Sequence, residues 1–239
     1  MTPAARGHMT IELVDQTRRV PLPVGGLGHL VGSLRAQAVE LAAAYGIAVP
    51  VLRHVVSPVA SAYLPPPHVD LVLVVLDSSD EAGALGYHSE MGGVPYARVF
   101  TADCLEAGVA ASSCLSHEVC EALADPFVNL WAADGDGVLH AYEICDPVES
   151  TTYLDAHGVA LSNYVLPGWF DPTVPTGAPV DRQRALAVPF QIGAGGYAVV
   201  WDGSGVRQVF GGEPAPIALA PGKMSELGRT ARRLAVRPG

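Results

Sequence analysis

The segment Ser116-His117-Glu118-Val119-Cys120-Glu121-Ala122-Leu123-Ala124-Asp125-Pro126 predicts a helix that carries a metal site. Helical residues advance by about 100° each, so side chains at i and i+4 share a face. His117 and Glu121 have this spacing, and Glu118 lies beside them. The opposite face is apolar and suited to packing, and it carries Leu115, Val119, Ala122 and Leu123. Pro126 ends the helix, because proline disfavours helical backbone at the preceding residue.

The spacing H-E-x-x-E is a variant of the zinc-peptidase motif H-E-x-x-H. In that motif the residues at i and i+4 bind the metal, and the glutamate between them is the general base. His117 and Glu121 would then be metal ligands, and Glu118 the base. The alternative is a solvated helix in which the same residues simply face water. A solvated helix is normally richer in long polar side chains, whereas residues 107–126 contain no Lys, Arg or Gln.

Composition and charge exclude several classes of function. The chain has 239 residues, of which 49% are hydrophobic and 16% charged, so it can bury a large core. Its formal net charge of −10 argues against a nucleic-acid partner, which needs basic surface to replace counterions. No apolar run reaches the ~18 residues of a membrane span, and no signal peptide is apparent. We therefore expect a cytoplasmic protein with four reduced cysteines and no membrane partner.

The order of predicted elements indicates an α/β (α+β) fold, with packed helices on a mixed sheet. A helix from about Gly28 to Tyr45 follows the first strand, and the motif helix closes the series. The predicted strands are Thr10–Val14, Val49–Val56, Val69–Leu76 and Val94–Thr101. Residues 83–93 are glycine-rich and are interpreted as a connection. Val94–Thr101 is a candidate edge strand that could pair with an extended peptide, or else an ordinary internal strand.

The sequence changes character after Pro126, which suggests two subdomains. Residues 10–126 would form the α/β part that ends in the motif helix, and residues 127–239 a loop- and strand-rich part that completes the cleft. Residues 1–9 are interpreted as a tag or a disordered start. Turn residues predict hairpins at Asp134–Gly137 and at Asp202–Gly205.

A third metal ligand is expected from a separate segment, since catalytic zinc usually has three protein ligands. Glu143 and Asp146 lie about 20 residues downstream of Glu121, in a run that ends at Pro147. Either acid could be the ligand with the other supporting it from outside, and spacing alone does not choose between them. Each could also be a plain turn or capping residue.

The motif and its downstream acids together resemble a known pattern. Ser-His-Glu-x-x-Glu followed by Asp-Pro, a Trp and Glu-Ile-x-Asp is similar to bacterial and phage proteins of zincin type and to the plant EXORDIUM (phosphate-induced) family. The matching residues are Ser116, His117, Glu118, Glu121, Asp125, Pro126, Asn129, Trp131, Glu143, Ile144 and Asp146. The resemblance implies a zincin-like fold with a metal site. In one departure from the EXORDIUM pattern, Cys145 precedes Asp146 instead of following it.

These observations predict a metal-dependent peptide-bond hydrolase acting on a peptide or protein substrate. Glu118 would take a proton from a metal-bound water. The metal is expected to be zinc, with Mn²⁺ or Ca²⁺ as alternatives because two ligands are carboxylates.

Tyr142, His140 and Tyr164 are candidate oxyanion donors, and Tyr164 is favoured because many zincins place a turn beneath the metal at its position. The alternative is a non-catalytic structural or binding protein, phage-related for instance, with a structural metal site. A purely structural site has no need of Glu118.

Overall fold

The computed structural model describes residues 8–20, 22, 27–56, 69–81, 83–91 and 93–212. The elements of the first half are β1 (His8–Asp15), α1 (Leu27–Tyr45), β2 (Val49–Val56), β3 (Leu71–Leu76), β4 (Gly86–Met91), β5 (Val94–Phe100), α2 (Thr101–Glu106) and α3 (Ala111–Ala124). Those of the second half are β6 (Trp131–Ala133), β7 (Leu139–Ala141), β8 (Thr152–Leu154), β9 (Ala160–Ser162), β10 (Tyr197–Trp201) and β11 (Val206–Phe210). Two short 3-10 turns, Asp146–Val148 and Pro167–Phe170, complete the second half.

The first half contains a five-stranded mixed sheet with the order β2-β1-β3-β5-β4. The first four of these strands are mutually parallel, and β4 is antiparallel to β5. β3 consists of Leu and Val residues alone and lies in the middle of the sheet, as expected of a strand that is covered on both faces. The predicted α/β fold with a mixed sheet is therefore confirmed.

Of the two alternatives left open for Val94–Thr101, the internal strand is confirmed and the edge strand is wrong. β5 pairs with β3 on one side and with β4 on the other, so it is an internal strand. The edge strand is β4, which lies in the segment interpreted from its glycines as a connection. Main-chain pairing with β5 offsets the low strand propensity of this glycine-rich segment.

The motif helix α3 lies in the interior of the protein and not at its surface. It packs against α1, β4, β5 and β9. The side chains of His117, Glu118 and Glu121 are buried together with the apolar face, with 8%, 4% and 3% of their surface exposed. The alternative of a solvated helix is therefore wrong, and burial on all sides accounts for the absence of long basic side chains. Asp125 fixes the turn that follows the helix, because its carboxylate accepts hydrogen bonds from the N–H groups of Asn129 and Leu130.

The second half adds two small antiparallel sheets, with the orders β11-β10-β7-β6 and β8-β9. Both predicted hairpins are confirmed, because β6 pairs with β7 around residues 134–138 and β10 pairs with β11 around residues 202–205. The main apolar core contains side chains from both sides of Pro126, for example Leu115 and Trp169. The division of the chain at Pro126 stays a prediction.

The first strand begins earlier than expected. His8 and Met9 belong to β1 and pair with Val49 and Pro50, so the segment set aside as a tag or disordered start is too long by two residues. Residues 1–7 and the tail 213–239 lie outside the described residues. Among the helices that the structure describes, none is both long and apolar enough to cross a membrane.

Candidate metal centre

Two residues of α3 and one of the Asp146–Val148 turn form a compact group of ligand atoms. His117 Nε2 lies 3.2 Å from Glu121 Oε2 and 3.4 Å from Asp146 Oδ1. One ligand atom from each of the three residues lies within 4.8 Å of the other two. Of the two acids that the sequence left open, Asp146 therefore joins the His117–Glu121 pair. Its side chain is buried, with 1% of its surface exposed.

The turn that carries Asp146 is held against α3 by main-chain hydrogen bonds. The N–H of Cys145 donates to Glu121 Oε1 at 3.1 Å, so it fixes one oxygen of that carboxylate while the other faces His117. The N–H of Gly193 donates to the Pro147 carbonyl oxygen at 2.8 Å. A Cβ at Gly196 would lie 2.5 Å from the same oxygen, so the chain approaches this turn too closely for any larger residue. These contacts fix the position of Asp146 relative to α3.

A second histidine, His88 of the edge strand β4, faces Glu121 and two further carboxylates. Its Nδ1 atom lies 3.5 Å from Glu118 Oε2 and 3.4 Å from Glu121 Oε2, and its Nε2 atom lies 3.5 Å from Glu143 Oε2. His88 is 4% exposed. Glu143, predicted as a metal ligand, thus lies on the far side of the His88 ring. His88, Glu118 and Glu121 form a second group whose ligand atoms lie within 4.8 Å of one another.

The sequence contained a signal for His88 that the interpretation of residues 83–93 missed. Gly92-Gly93 separates the runs 86–91 and 94–100 by two residues, and two such residues between strand-length runs are typical of a β-hairpin. A hairpin places the first run beside β5 and hence beside the helix that follows it. His88 would then have been a candidate ligand.

The electrostatics of the cluster favour positive charge at its centre. Burial alone would lower the pKa of His88, but the neighbouring carboxylates of Glu143, Glu118 and Glu121 raise it to about 10. Burial likewise disfavours the charged form of Glu121, yet His117 and His88 hold the pKa of that carboxyl well below its usual range. The proximity of His88 thus favours the ionised form of Glu121, and Glu121 favours the protonated form of His88.

The donor atoms fit a divalent cation in both type and spacing. Imidazole nitrogen with carboxylate oxygen suits zinc and also manganese. Two ligands at about 2.05 Å from a tetrahedral zinc are separated by about 3.3 Å. Within the two groups of ligand atoms, the separations between imidazole nitrogen and carboxylate oxygen are 3.2 to 3.5 Å, longer than a normal charge-assisted hydrogen bond and close to that edge length.

A cavity of about 710 Å³ opens beside the cluster. Two of the cluster side chains, His117 and Glu118, form part of its wall. Most of the other lining residues are small or apolar, namely Gly83, Leu85, Gly86, Ala107, Gly108, Val109, Ala110, Cys114 and Ala160, and carboxylates are contributed by Asp103, Glu106 and Glu149. The volume is in the range of ligand-binding clefts. A ligand in this cavity would therefore meet Glu118 and His117.

Gly86 sets how closely Glu118 approaches the edge strand. A Cβ at this position would lie 2.8 Å from Glu118 Oε1 and 3.1 Å from the carbonyl oxygen of Arg98. Any side chain here would push the carboxylate away from β4. This glycine, which lies within the predicted connection, is thus the first residue of β4 and packs against Glu118.

None of the three candidate oxyanion donors lines the cavity. Tyr164, predicted as catalytic, has 1% of its surface exposed and packs in the main core, where burial raises the pKa of its hydroxyl; we therefore correct its role to packing. Tyr142 stacks on Phe170 with 3.9 Å between ring centroids. His140 lies in β7 with its Nε2 atom 3.1 Å from Asp134 Oδ2. These three residues thus make packing or hydrogen-bonding contacts within the second half of the protein and do not face the cavity.

Comparisons with known proteins give no relative for this chain. No family model, curated protein or solved structure matches it. The resemblance to the zincin-type and EXORDIUM patterns thus rests on the motif residues alone. The functional proposal below depends on the geometry of the cluster and the cavity.

Proposed function

We propose that the protein is a metal-dependent hydrolase of peptide bonds. The observation that supports this most strongly is the position of Glu118. Glu118 shares a group of ligand atoms with Glu121, one of the expected metal ligands, and the residue also lines the cavity. A general base needs contact with both the metal site and the substrate space, whereas a structural cation site needs neither Glu118 nor a cavity. A non-catalytic role with a structural cation is therefore the weaker candidate.

Each residue of the cluster has a distinct task in this proposal. His117, Glu121 and Asp146 would hold a divalent cation, which, when bound, polarises a scissile carbonyl and lowers the pKa of a coordinated water. Glu118 would accept the proton of that water and pass it to the leaving amine. The buried turn at Asp146 keeps the third ligand in place without help from the substrate.

Zinc is the expected cation, with manganese and calcium as alternatives. One imidazole and two carboxylates nearly cancel the charge of a divalent ion, which weakens its effect on a bound water relative to a site with three histidines. Harder oxygen ligands also favour manganese or calcium more than a three-histidine site does.

Metal content is the first test of this proposal. Purified protein is expected to carry about one tightly bound zinc or manganese ion per chain, and His117→Ala is expected to lose it, because one of three ligands is removed. Elemental analysis after dialysis measures the content. His157→Ala, at an exposed histidine, is the matched control and should keep the ion. Protein that contains no metal and takes up none of zinc, manganese and calcium would contradict the proposal.

A Gly86→Ala variant tests whether the position of Glu118 matters. The added methyl group would displace the carboxylate, and a misplacement of about 1 Å can lower a rate by about 100-fold. We expect peptide hydrolysis to fall by about 10- to 100-fold, mainly in kcat, with the tightly bound metal retained. Gly135→Ala is the control, because a Cβ there meets no atom within 4 Å. Unchanged kcat in a folded Gly86→Ala protein would show that Glu118 does not act from this position.

A further inference from the structure

One carboxylate oxygen of the cluster is shared between two groups of ligand atoms. Glu121 Oε2 lies 3.2 Å from Nε2 of His117 and 3.4 Å from Nδ1 of His88. The first group is completed by Asp146 and the second by Glu118. A carboxylate placed between two such groups has the geometry of a bridging ligand. We propose that the cluster is a two-cation centre, with Glu121 bridging one ion held by His117 and Asp146 and a second ion held by His88 and Glu118.

The surroundings of His88 are those of a metal ligand. Its Nδ1 atom faces Glu118 and Glu121, while its Nε2 atom faces Glu143 on the other side of the ring. Histidine ligands usually donate their second ring N–H to a carboxylate, which fixes the tautomer and strengthens the ligand. Glu143, 3.5 Å from Nε2, lies where such an outer partner would be, and Nδ1 is the atom that faces the second ion.

Charge balance also favours two ions. Glu118, Glu121, Glu143 and Asp146 are all buried, with 1% to 6% of their surfaces exposed. One divalent cation compensates the formal charge of two carboxylates, and two divalent cations compensate that of four. Buried charge without compensation is costly.

Occupation of the second site would change what Glu118 can do. A carboxylate that binds a cation is a poorer proton acceptor, so the second ion would compete with the base role of Glu118. This consequence rests on the proposed function, whereas the existence of two sites does not. We therefore expect hydrolysis to be fastest with one ion per chain and to slow as the second ion binds.

Metal stoichiometry is the decisive measurement. Protein freed of metal with a chelator is titrated with Zn²⁺ and followed by calorimetry and elemental analysis. We expect two ions per chain, the second bound more weakly than the first. His88→Ala should bind one ion only, and Glu143→Gln should bind the second ion about 10- to 100-fold more weakly, as typical for loss of an outer-shell partner. His157→Ala, at an exposed site, should bind two.

A spectroscopic measurement tests whether the two ions are neighbours. Cations that share a bridging carboxylate lie about 3.5–4 Å apart, close enough for two Mn²⁺ ions to couple magnetically. Electron paramagnetic resonance should show an uncoupled Mn²⁺ signal at one equivalent and a coupled spectrum at two, and the coupled spectrum should be absent from His88→Ala. The proposal would be overturned if the wild-type protein and His88→Ala each bound one ion per chain, or if the wild-type protein bound two ions that do not couple. Two coupled ions in a protein that hydrolyses no peptide would support the centre and refute the peptidase.

Discussion

Replacement of Glu118 by Gln is expected to lower kcat/KM for peptide hydrolysis by about 10³-fold, the middle of the range for a general base. Gln keeps the size of the side chain and its fit against Gly86, but it cannot accept a proton. The ion held by His117, Glu121 and Asp146 should remain, since Glu118 is not part of that group. The loss should therefore appear in kcat, measured on a peptide identified from a library with the wild-type protein.

Glu81→Gln makes the same chemical change at a half-buried residue and should leave the rate within about twofold, because Glu81 belongs to neither group of ligand atoms and does not line the cavity. Metal content is measured on both variants, so that loss of the ion is not mistaken for loss of the base. If Glu118→Gln with a full complement of tightly bound metal cleaves the peptide at the wild-type rate, Glu118 is not the base and the carboxylate serves only as a ligand.

Much of the first half could be predicted because each element obeys a local rule. β3 is a continuous run of Leu and Val, α1 has apolar residues at helical spacing, and Gly46 ends α1 with a positive φ of 65°. The motif helix follows from spacing and from Pro126. These signals lie within the segments themselves, so they need no knowledge of tertiary contacts.

The order of the strands could not be predicted by the same means. The sequence of β5 is equally compatible with an edge strand and with an internal strand, because the position of β5 in the sheet depends on whether residues 86–91 pair with it. The glycines of that segment lower its strand propensity, yet Gly86 is needed for the approach of Glu118. The glycine that permits the close approach of Glu118 thus also weakens the sequence signal for β4.

The candidate site shows the same division between local and non-local information. His117, Glu118 and Glu121 come from one helix, and their arrangement follows from helical geometry. Asp146 lies beside His117, whereas Glu143 lies beside His88. This arrangement depends on the contact between α3 and the turn after Cys145, which cannot be predicted from the spacing of residues in the sequence. Tyr164 illustrates the converse error, since a position in the sequence near a motif says little about which side of the core a side chain occupies.

Glu121→Gln is expected to be the most damaging single change to metal binding, because Glu121 belongs to both groups of ligand atoms. Loss of an outer-shell partner alone weakens a site by about 10- to 100-fold, so loss of a shared ligand should weaken each site by more than about 100-fold. Gln keeps the volume of the side chain, and its carbonyl oxygen can still accept the hydrogen bond from the N–H of Cys145. The variant should therefore fold without metal.

Thermal unfolding with and without zinc separates this loss from a failure to fold. A ligand at 100 times its Kd stabilises a protein by about 2.7 kcal/mol, which for a chain of this size corresponds to a rise in Tm of about 5 to 10 °C. Wild-type protein should show that rise in Tm, and Glu118→Gln should keep most of the rise because it still binds the first ion. Glu121→Gln should lose the rise. Its Tm without metal should stay close to that of metal-free wild type. The two glutamates lie one turn apart on the same buried helix, so a difference between them reflects ligand position and not burial. A Glu121→Gln protein that retains the zinc-dependent rise would place the cation elsewhere and remove the basis for both the one-ion and the two-ion centre.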